Sequence, residues 1–432
     1  MYQLHPDHYP VSRVPSTANR PGDPVRICVL GGGFGGLYTA LALSRKRSPR
    51  YQITLVEQRD HFLFTPLLYE IVTGELQAWE IAPTYQKLLR HRQVEHCQAR
   101  VQDIDLRDRQ VYLHDGRTLS YDYLVLALGS ESRLNVVPGA LEYAQTFCTL
   151  ADAEHLKERL RFLEASGREV IRVAIAGAGP NGVEIACKLA DRLGQRGDVH
   201  LIDRGNGILK SFPKGCQVAA ARALAKRNVR LHLETSIEAI APDHVAMTTP
   251  THYSVLPTDL VLWTAGTQIS QWIRQLDCAH NPQGQLMTTP TLQLVDHPDV
   301  FVLGDVAEIR DISGQRVPAV AQAAFQQAPH TANNLRRAIA GRPPKPFRYL
   351  PLGEMLTLGI NSAVVFSFGI TLDGELARII RRATYIQRLP TARHGLQVAW
   401  RWLVDGLRRR WWKRPHRAST HVTSKRITSS SR

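Results

Sequence analysis

The chain has 432 residues, 44% of them apolar and 21% charged, and a net charge of +16. That length exceeds one ordinary core, and the composition is that of a body able to bury several, which excludes a mainly disordered or fibrous protein. The charge resembles a nucleic-acid signal until it is located: residues 376–432 hold fifteen Lys/Arg against one acid, Asp405, so the first 375 residues are close to neutral.

In chain order, residues 1–24 are proline-rich, without an apolar central region, and are expected to form a flexible leader and not a signal peptide. Val25 to Leu30 reads as a buried strand, the glycines after it as a turn, Leu37 to Lys46 as a helix, and Tyr51 to Val56 as a second strand ending at Glu57. The order recurs in strand Ile171 to Ala176, a glycine turn, helix Val183 to Leu193, strand Val199 to Ile202 and Asp203. Gly31, Gly33, Gly36 and Glu57 map onto Gly177, Gly179, Gly182 and Asp203, each 146 residues on, so one module occurs twice. Tyr123 to Leu128 and Asp259 to Trp263 are apolar strands closing on the turns Leu128-Gly129 and Ala265-Gly266. Val300 to Leu303 ends in Gly304-Asp305. A helix is expected over Pro318 to Ala340, kinked at Pro329, and residues 341–350 read as a hinge into a C-terminal appendage.

The paired turns have a mechanical meaning. In G-x-G-x-x-G the first glycine makes the turn, the second admits a pyrophosphate to the backbone N–H groups, and the third lets helix and strand pack closely. An acid about 20 residues later accepts from ribose hydroxyls. Three fixed glycines arise by chance roughly 0.15 times in such a chain at average glycine usage, so one match is weak and two with equal spacing to an acid are strong. The first turn is assigned to FAD and the second to a nicotinamide dinucleotide, because Gly304-Asp305, opening toward a helix, occurs once. An acid there suits the ribityl or phosphate part of a flavin, and the helix N-terminus suits negative charge on the reduced ring. The plain alternative for Asp305 is a helix-capping turn.

These residues carry a resemblance. Gly31 to Gly36 (GGGFGG), His61 to Glu70 (HFLFTPLLYE), Gly177 to Glu184 (GAGPNGVE), Gly304-Asp305 and Ala321 to Gln326 (AQAAFQ) resemble the type II NAD(P)H:quinone oxidoreductases. Gly74 to Pro83 (GELQAWEIAP), Leu126 to Ser132 (LALGSES), Gly353 to Gly359 (GEMLTLG) and Arg388 to Pro390 (RLP) resemble the cyanobacterial and plastid demethylphylloquinone reductase branch. The likeness runs over residues 25–405. It implies an α/β fold of two Rossmann-like dinucleotide-binding domains, the nicotinamide domain inserted into the FAD domain, with a membrane-docking C-terminal appendage. Expected divisions are a leader (1–24), FAD domain (25–150 and 277–345), NAD(P)H domain (151–276), membrane-associated region (346–415) and basic tail (416–432).

The electron path implied is a hydride from nicotinamide C4 to flavin N5, then reduction of a prenylated naphthoquinone or benzoquinone of the demethylphylloquinone or plastoquinone type. By matching position, Gly31, Gly33, Phe34, Gly35, Gly36, Glu57, Thr65, Val101, Gly129, Gly304, Asp305, Ala321 and Gln322 are placed at FAD. Gly177, Gly179, Pro180, Asn181, Gly182, Glu184, Asp203, Arg204, Ala265 and Gly266 are placed at NAD(P)H. Catalytic roles fall on Glu184, in a proton-handling network, and on Gln322 and Gln326 near the quinone end of the flavin; no metal is expected. Read from spacing alone, Glu184 sits in a helix's first turn, where the helix dipole favours an acid. Gln322 and Gln326 share a helical face whose alanines admit a flat ring.

Three positions depart from the family pattern. Leu128 replaces a frequent threonine, Pro329 is expected to break the helix after the glutamine pair, and Arg204 beside Asp203 offers a cation to a 2′-phosphate that the acid would repel. Either NADH or NADPH is therefore the expected donor.

Leu396, Trp400, Leu403, Leu407 and Trp411 fall on one helical face, with Arg401, Asp405, Arg408 and Arg409 mostly opposite and Lys413 and Arg414 following, the pattern of a helix lying in a membrane interface. The partners expected are a membrane quinone and a membrane surface, with no nucleic acid; a homodimer follows by analogy alone. A peripheral position on the cytoplasmic face of a thylakoid or plasma membrane is implied. Residues from Ala418 on are expected to be disordered. Six dispersed cysteines without a C-x-x-C pair fit reduced thiols and count against dithiol chemistry, and none lies late enough for a sulfide:quinone enzyme. A flavin reductase for a small redox protein and a non-catalytic, nucleotide-binding tether are the rival readings.

Overall fold

The computed structural model describes residues 23–45 and 50–412, with side chains described to residue 405. The leader to residue 22, the expected helix end at Lys46 and the tail from residue 413, including Lys413 and Arg414, lie outside those residues.

Two five-stranded sheets carry the body, and every pairing in both is parallel. In the first, Val25–Leu30 is central, between Tyr51–Glu57 and Tyr123–Leu126, with Glu95–Gln98 and Val300–Val302 at the edges. In the second, Ile171–Ala176 is central, between Gly197–Ile202 and Leu260–Trp263, with Arg230–His232 and Ala144–Thr146 outside. The central strands are apolar almost without interruption because helices and loops cover both faces. The last edge strand comes from opposite directions: Val300–Val302 follows the second module, whereas Ala144–Thr146 precedes it. The second sheet therefore lies between two segments of the first and begins ahead of residue 151. In each sheet the strand order reverses beside the central strand, where the glycine turns open, the usual place for a ligand in such folds.

Both glycine helices start earlier than periodicity suggests, at Phe34–Leu43 and Pro180–Leu193. Gly35, Gly36 and Gly182 are helical, although glycine alone reads as turn. Glu184 consequently sits in the second turn, so dipole placement at the first turn does not account for it. Ala321–Ile339 runs through Pro329 as one helix. The break expected there is absent because the helix lies closely against Phe34–Leu43 through the fully buried Ala328, Ala332 and Leu335, and that packing outweighs the ~3 kcal/mol a mid-helix proline costs.

The hinge is strapped down. Asn334 exchanges hydrogen bonds with the Lys345 backbone, and the buried Phe347 donates its N–H to Pro290 O at 2.7 Å. Beyond it stand an antiparallel sheet (Glu354–Thr357, Ala363–Ser367, Ile370–Asp373) and helices Gly374–Arg388 and Ala392–Trp412. Among the described residues no helix is long and apolar enough to cross a membrane.

Candidate active site

The two glycine turns match bond for bond. Gly31 has φ +95° and Gly177 φ +102°, and each donates its N–H to the end of the next strand, at Val56 O (2.9 Å) and Ile202 O (2.7 Å). A Cβ on Gly36 would lie 1.8 Å from Gly31 O, and one on Gly182 1.8 Å from Gly177 O, so only glycine allows helix and strand this close. Gly33 and Gly179 have nothing within 4 Å of a would-be Cβ. They are also the N-caps of their helices, with no side-chain cap and no acid in the first turn. Open glycine faces and uncapped helix N–H groups fit the pyrophosphate of a dinucleotide. The acids repeat as well: Glu57 Oε2 accepts Gly32 N–H and Asp203 Oδ2 accepts Ala178 N–H, each at 2.7 Å.

The mouths of the cradles are tied together. Leu128-Gly129 and Ala265-Gly266 lead into Glu131–Ser132 and Thr267–Gln268, which pair as a two-residue antiparallel ladder. The Tyr69 hydroxyl, from the first module, donates to Asn181 Oδ1 at the start of the second helix, 2.8 Å away.

At that join lies a buried charge cluster built from three parts of the chain. Arg381 of Gly374–Arg388 donates to Glu70 Oε1 (2.6 Å) and to Pro66 O (2.5 Å), and lies 3.7 Å from Glu184 Oε1. Its guanidinium stands 4.8 Å over the Tyr385 ring. Glu184 also accepts the Thr357 N–H at 2.7 Å. Burial pushes its carboxyl up to about 7, against the pull of Arg381 and the Thr357 amide. For Glu70 burial acts the same way, but the closer Arg381, with Lys188, holds it below the usual carboxylate range. Arg381 itself stays charged: burial opposes its charge most strongly, and Glu70, Tyr385 and Glu184 together outweigh burial. Two neighbouring carboxyls are thus driven apart, Glu70 keeping the charge and Glu184 the proton. Burial also raises the Tyr69 phenol well above its ordinary value, reinforced by the charge on Glu184.

Asp305 accepts from Ser130 Oγ at 2.9 Å, beside Gly129, and burial raises its carboxyl against that bond. Gly304 N–H is held by Gln327 Oε1 at 2.9 Å, and Gly304 lies against Ala324. Phe34 joins Tyr38, Phe62 and Phe64 in an aromatic cluster. Thr65 is exposed at the head of a short helical turn, and Val101 is buried in register with Leu113. Ala321 opens the helix that carries the glutamines.

Gln322 and Gln326 do share a face, but their amides are taken. Gln322 bonds Gly353 O (2.9 Å) and Leu352 N–H (2.8 Å); Gln326 bonds Leu350 O (2.8 Å) and Leu350 N–H (3.1 Å). Acting like one strand of a ladder, they fasten the appendage to the helix. Sequence reasoning did not individually single out Arg381, Glu70, Tyr69, Ser130 and Gln327, which the structure brings to this region. Tyr69-Glu70 closes a motif already singled out, whereas Arg381 and Arg382 were counted only as bulk charge, and both are engaged with acids of the body.

Fold and site together define a two-dinucleotide oxidoreductase: the chain belongs to the pyridine nucleotide-disulphide oxidoreductase family, whose profile matches residues 25–328. It is 46% identical over 389 residues to the demethylphylloquinone reductase NdbB of Synechocystis sp., covering 88% of this chain and 96% of that one. It is 37% identical to the alternative NAD(P)H-ubiquinone oxidoreductase C1 of Arabidopsis thaliana, covering 88% and 80%. The structure of NDH2 from Plasmodium falciparum in complex with NADH superposes with a TM-score of 0.78 over 90% of this chain and 99% of the other; at 17% identity that likeness concerns the fold. All six cysteines are free thiols, so the disulphide in the family name has no counterpart here.

Proposed function

We propose that this chain is a FAD-dependent NAD(P)H:quinone oxidoreductase acting at a membrane surface, with a prenylated naphthoquinone or benzoquinone as acceptor. The observation that carries it is the pair of matched cradles, joined at their mouths, with Glu184 at the junction. FAD, when bound in the first cradle, supplies a ring that takes two electrons from a nicotinamide and passes them to a quinone. Gly33 and the helix behind it receive the pyrophosphate, Glu57 the ribose, and Asp305 the chain leading to the ring. Glu184, its carboxyl raised to about 7, can take up and give a proton around neutral pH, and Arg381 keeps Glu70 ionised beside it. Phe62, Phe64 and Tyr385 close this side to water. The purified protein is expected to be yellow, to bleach anaerobically with NADH or NADPH, and to recolour with a naphthoquinone. A colourless protein that binds nucleotide, or a bleached one that no quinone recolours, contradicts the reading.

The membrane side rests on the appendage. Ala392–Trp412 is seated on the body by the fully buried Val398 and by Trp402, whose indole donates to Glu80 Oε1 at 2.8 Å. The opposite side exposes Leu396 (71%), Trp400 (68%) and Leu403 (56%). Leu407, Arg408, Arg409 and Trp411 continue the helix, their side chains outside the described set. Phe368 (93% exposed), Ile370, Leu376 and Ile379 add a second apolar outcrop on the same appendage. Each basic residue near an anionic surface adds on the order of 1 kcal/mol, so we assign this face to the cytoplasmic leaflet of a thylakoid or plasma membrane. Changing Leu396, Trp400 and Leu403 together to Glu leaves the seated side intact and is expected to abolish flotation with anionic liposomes; unchanged flotation removes the assignment.

A further inference from the structure

Beyond Asp203 the backbone folds back over the second glycine turn. Leu209 N–H donates to Ala178 O at 2.9 Å, and Gly205 O accepts Glu234 N–H at 2.9 Å. Leu209 is buried and held at φ +49°, a left-handed conformation that L side chains avoid and that persists only where the surroundings impose it. The imposed turn lays the next side chain, Lys210, across Gly205. A Cβ on Gly205 would lie 2.9 Å from Lys210 Nζ and equally 2.9 Å from Asp203 Oδ1. Ammonium and carboxylate thus both crowd the face of one glycine, just past the acid that ends the second module's strand.

The charges around this acid differ from those around its counterpart. In the first cradle Glu57 Oε1 is paired with Arg59 at 3.2 Å, so the neighbouring cation is spent. In the second, Asp203 is occupied by backbone N–H groups, from Ala178 (2.7 Å) and Gly205 (2.6 Å). Arg204 and Lys210 are both exposed, and among the described residues neither makes a hydrogen bond or ion pair. An acid whose oxygens already accept two N–H groups, standing between two unspent cations, no longer excludes a second negative group.

We propose that Lys210 is a specificity-determining residue that gives the second cradle its capacity for NADPH, its ammonium meeting the 2′-phosphate beside Asp203 with Arg204 on the outer side. This rests on the second cradle being the nicotinamide site. A compact ammonium suits a phosphate as a point charge, and the missing Cβ of Gly205 is what lets the Lys210 side chain lie there. With NADH the same lysine has only a hydroxyl to meet, so its loss weighs on one donor more than the other.

The test uses the FAD-loaded protein and its Lys210→Met and Lys210→Arg variants. Calorimetric titration with 2′,5′-ADP and with 5′-ADP reads the phosphate contact without turnover, and anaerobic bleaching by NADPH and NADH reads the donors. Lys210→Met is expected to weaken 2′,5′-ADP relative to 5′-ADP by about tenfold or more, the size of one charge-assisted hydrogen bond. It should lower the NADPH:NADH ratio of specificity constants alike, while Lys210→Arg retains both ratios. Ratios unchanged in Lys210→Met, with either donor still bleaching the flavin, overturn the role of Lys210 alone. Failure of the unaltered protein to bind either ADP and to bleach with either donor overturns the site reading and this proposal together.

Discussion

Arg381→Met is expected to destabilise the protein by about 3–5 kcal/mol, the usual cost of removing one partner from a buried ion cluster. The side chain is 2% exposed and is the cation nearest both Glu70 and Glu184. Without it, Glu70 loses its 2.6 Å partner and burial drives it toward its neutral form, with Lys188 left to oppose that shift. Coupling separates this from simple loss of packing. Glu70→Gln combined with Arg381→Met should recover a large share of the stability, since no charge is then left unpaired. A urea midpoint for Arg381→Met within experimental error of the unaltered protein, or no recovery in the double variant, would count against the cluster as described.

Glu184→Gln is expected to act on rate through pH. With its carboxyl at about 7, Glu184 carries its proton below that value and surrenders it above. A step that draws on this proton slows as pH rises through 7, and the glutamine variant, which has no proton to give, should run slowly at every pH and lack the inflection. Single-turnover flavin oxidation by a naphthoquinone, followed between pH 5.5 and 8.5, reads this directly; an inflection retained in Glu184→Gln sinks the assignment. The same shift has a stability consequence of fixed sign. The folded carboxyl sits above its ordinary value of 4.5, so its favourable contribution is complete below about 4.5 and is lost as pH climbs to about 7. Across that window the unaltered protein should lose up to about 3 kcal/mol relative to the glutamine variant, on the scale of 1.36 kcal/mol per pKa unit.

What could be read from the sequence was what the backbone dictates locally. Gly31 and Gly36 are legible because a turn at positive φ and a helix pressed on a strand admit no side chain, and that demand is written within six residues. Glu57 and Asp203 are legible because a strand of set length places them. The parallel sheets followed from uninterrupted apolar runs. Arg381 was not legible: its partners lie far away in the chain, and an arginine among many arginines carries no mark of burial. The occupation of Gln322 and Gln326 was hidden for another reason, since their partners are backbone groups of Leu350 to Gly353, which any residue type could supply. Pro329 misled because propensity weighs a helix alone, whereas this one is held by a neighbour along its length.

The three-part charge cluster also sets an order of events. Glu70 and Glu184 leave the ribosome well before Arg381, so for part of synthesis both acids have their pocket half built and no cation to share. Translation must run to the final helices before the interior is electrically complete, and those helices also carry the exposed Leu396 and Trp400. A chain released early would hold two dinucleotide folds and still lack the cation that pairs with Glu70, which ties the charge balance of the interior to the last stretch of the chain to be made.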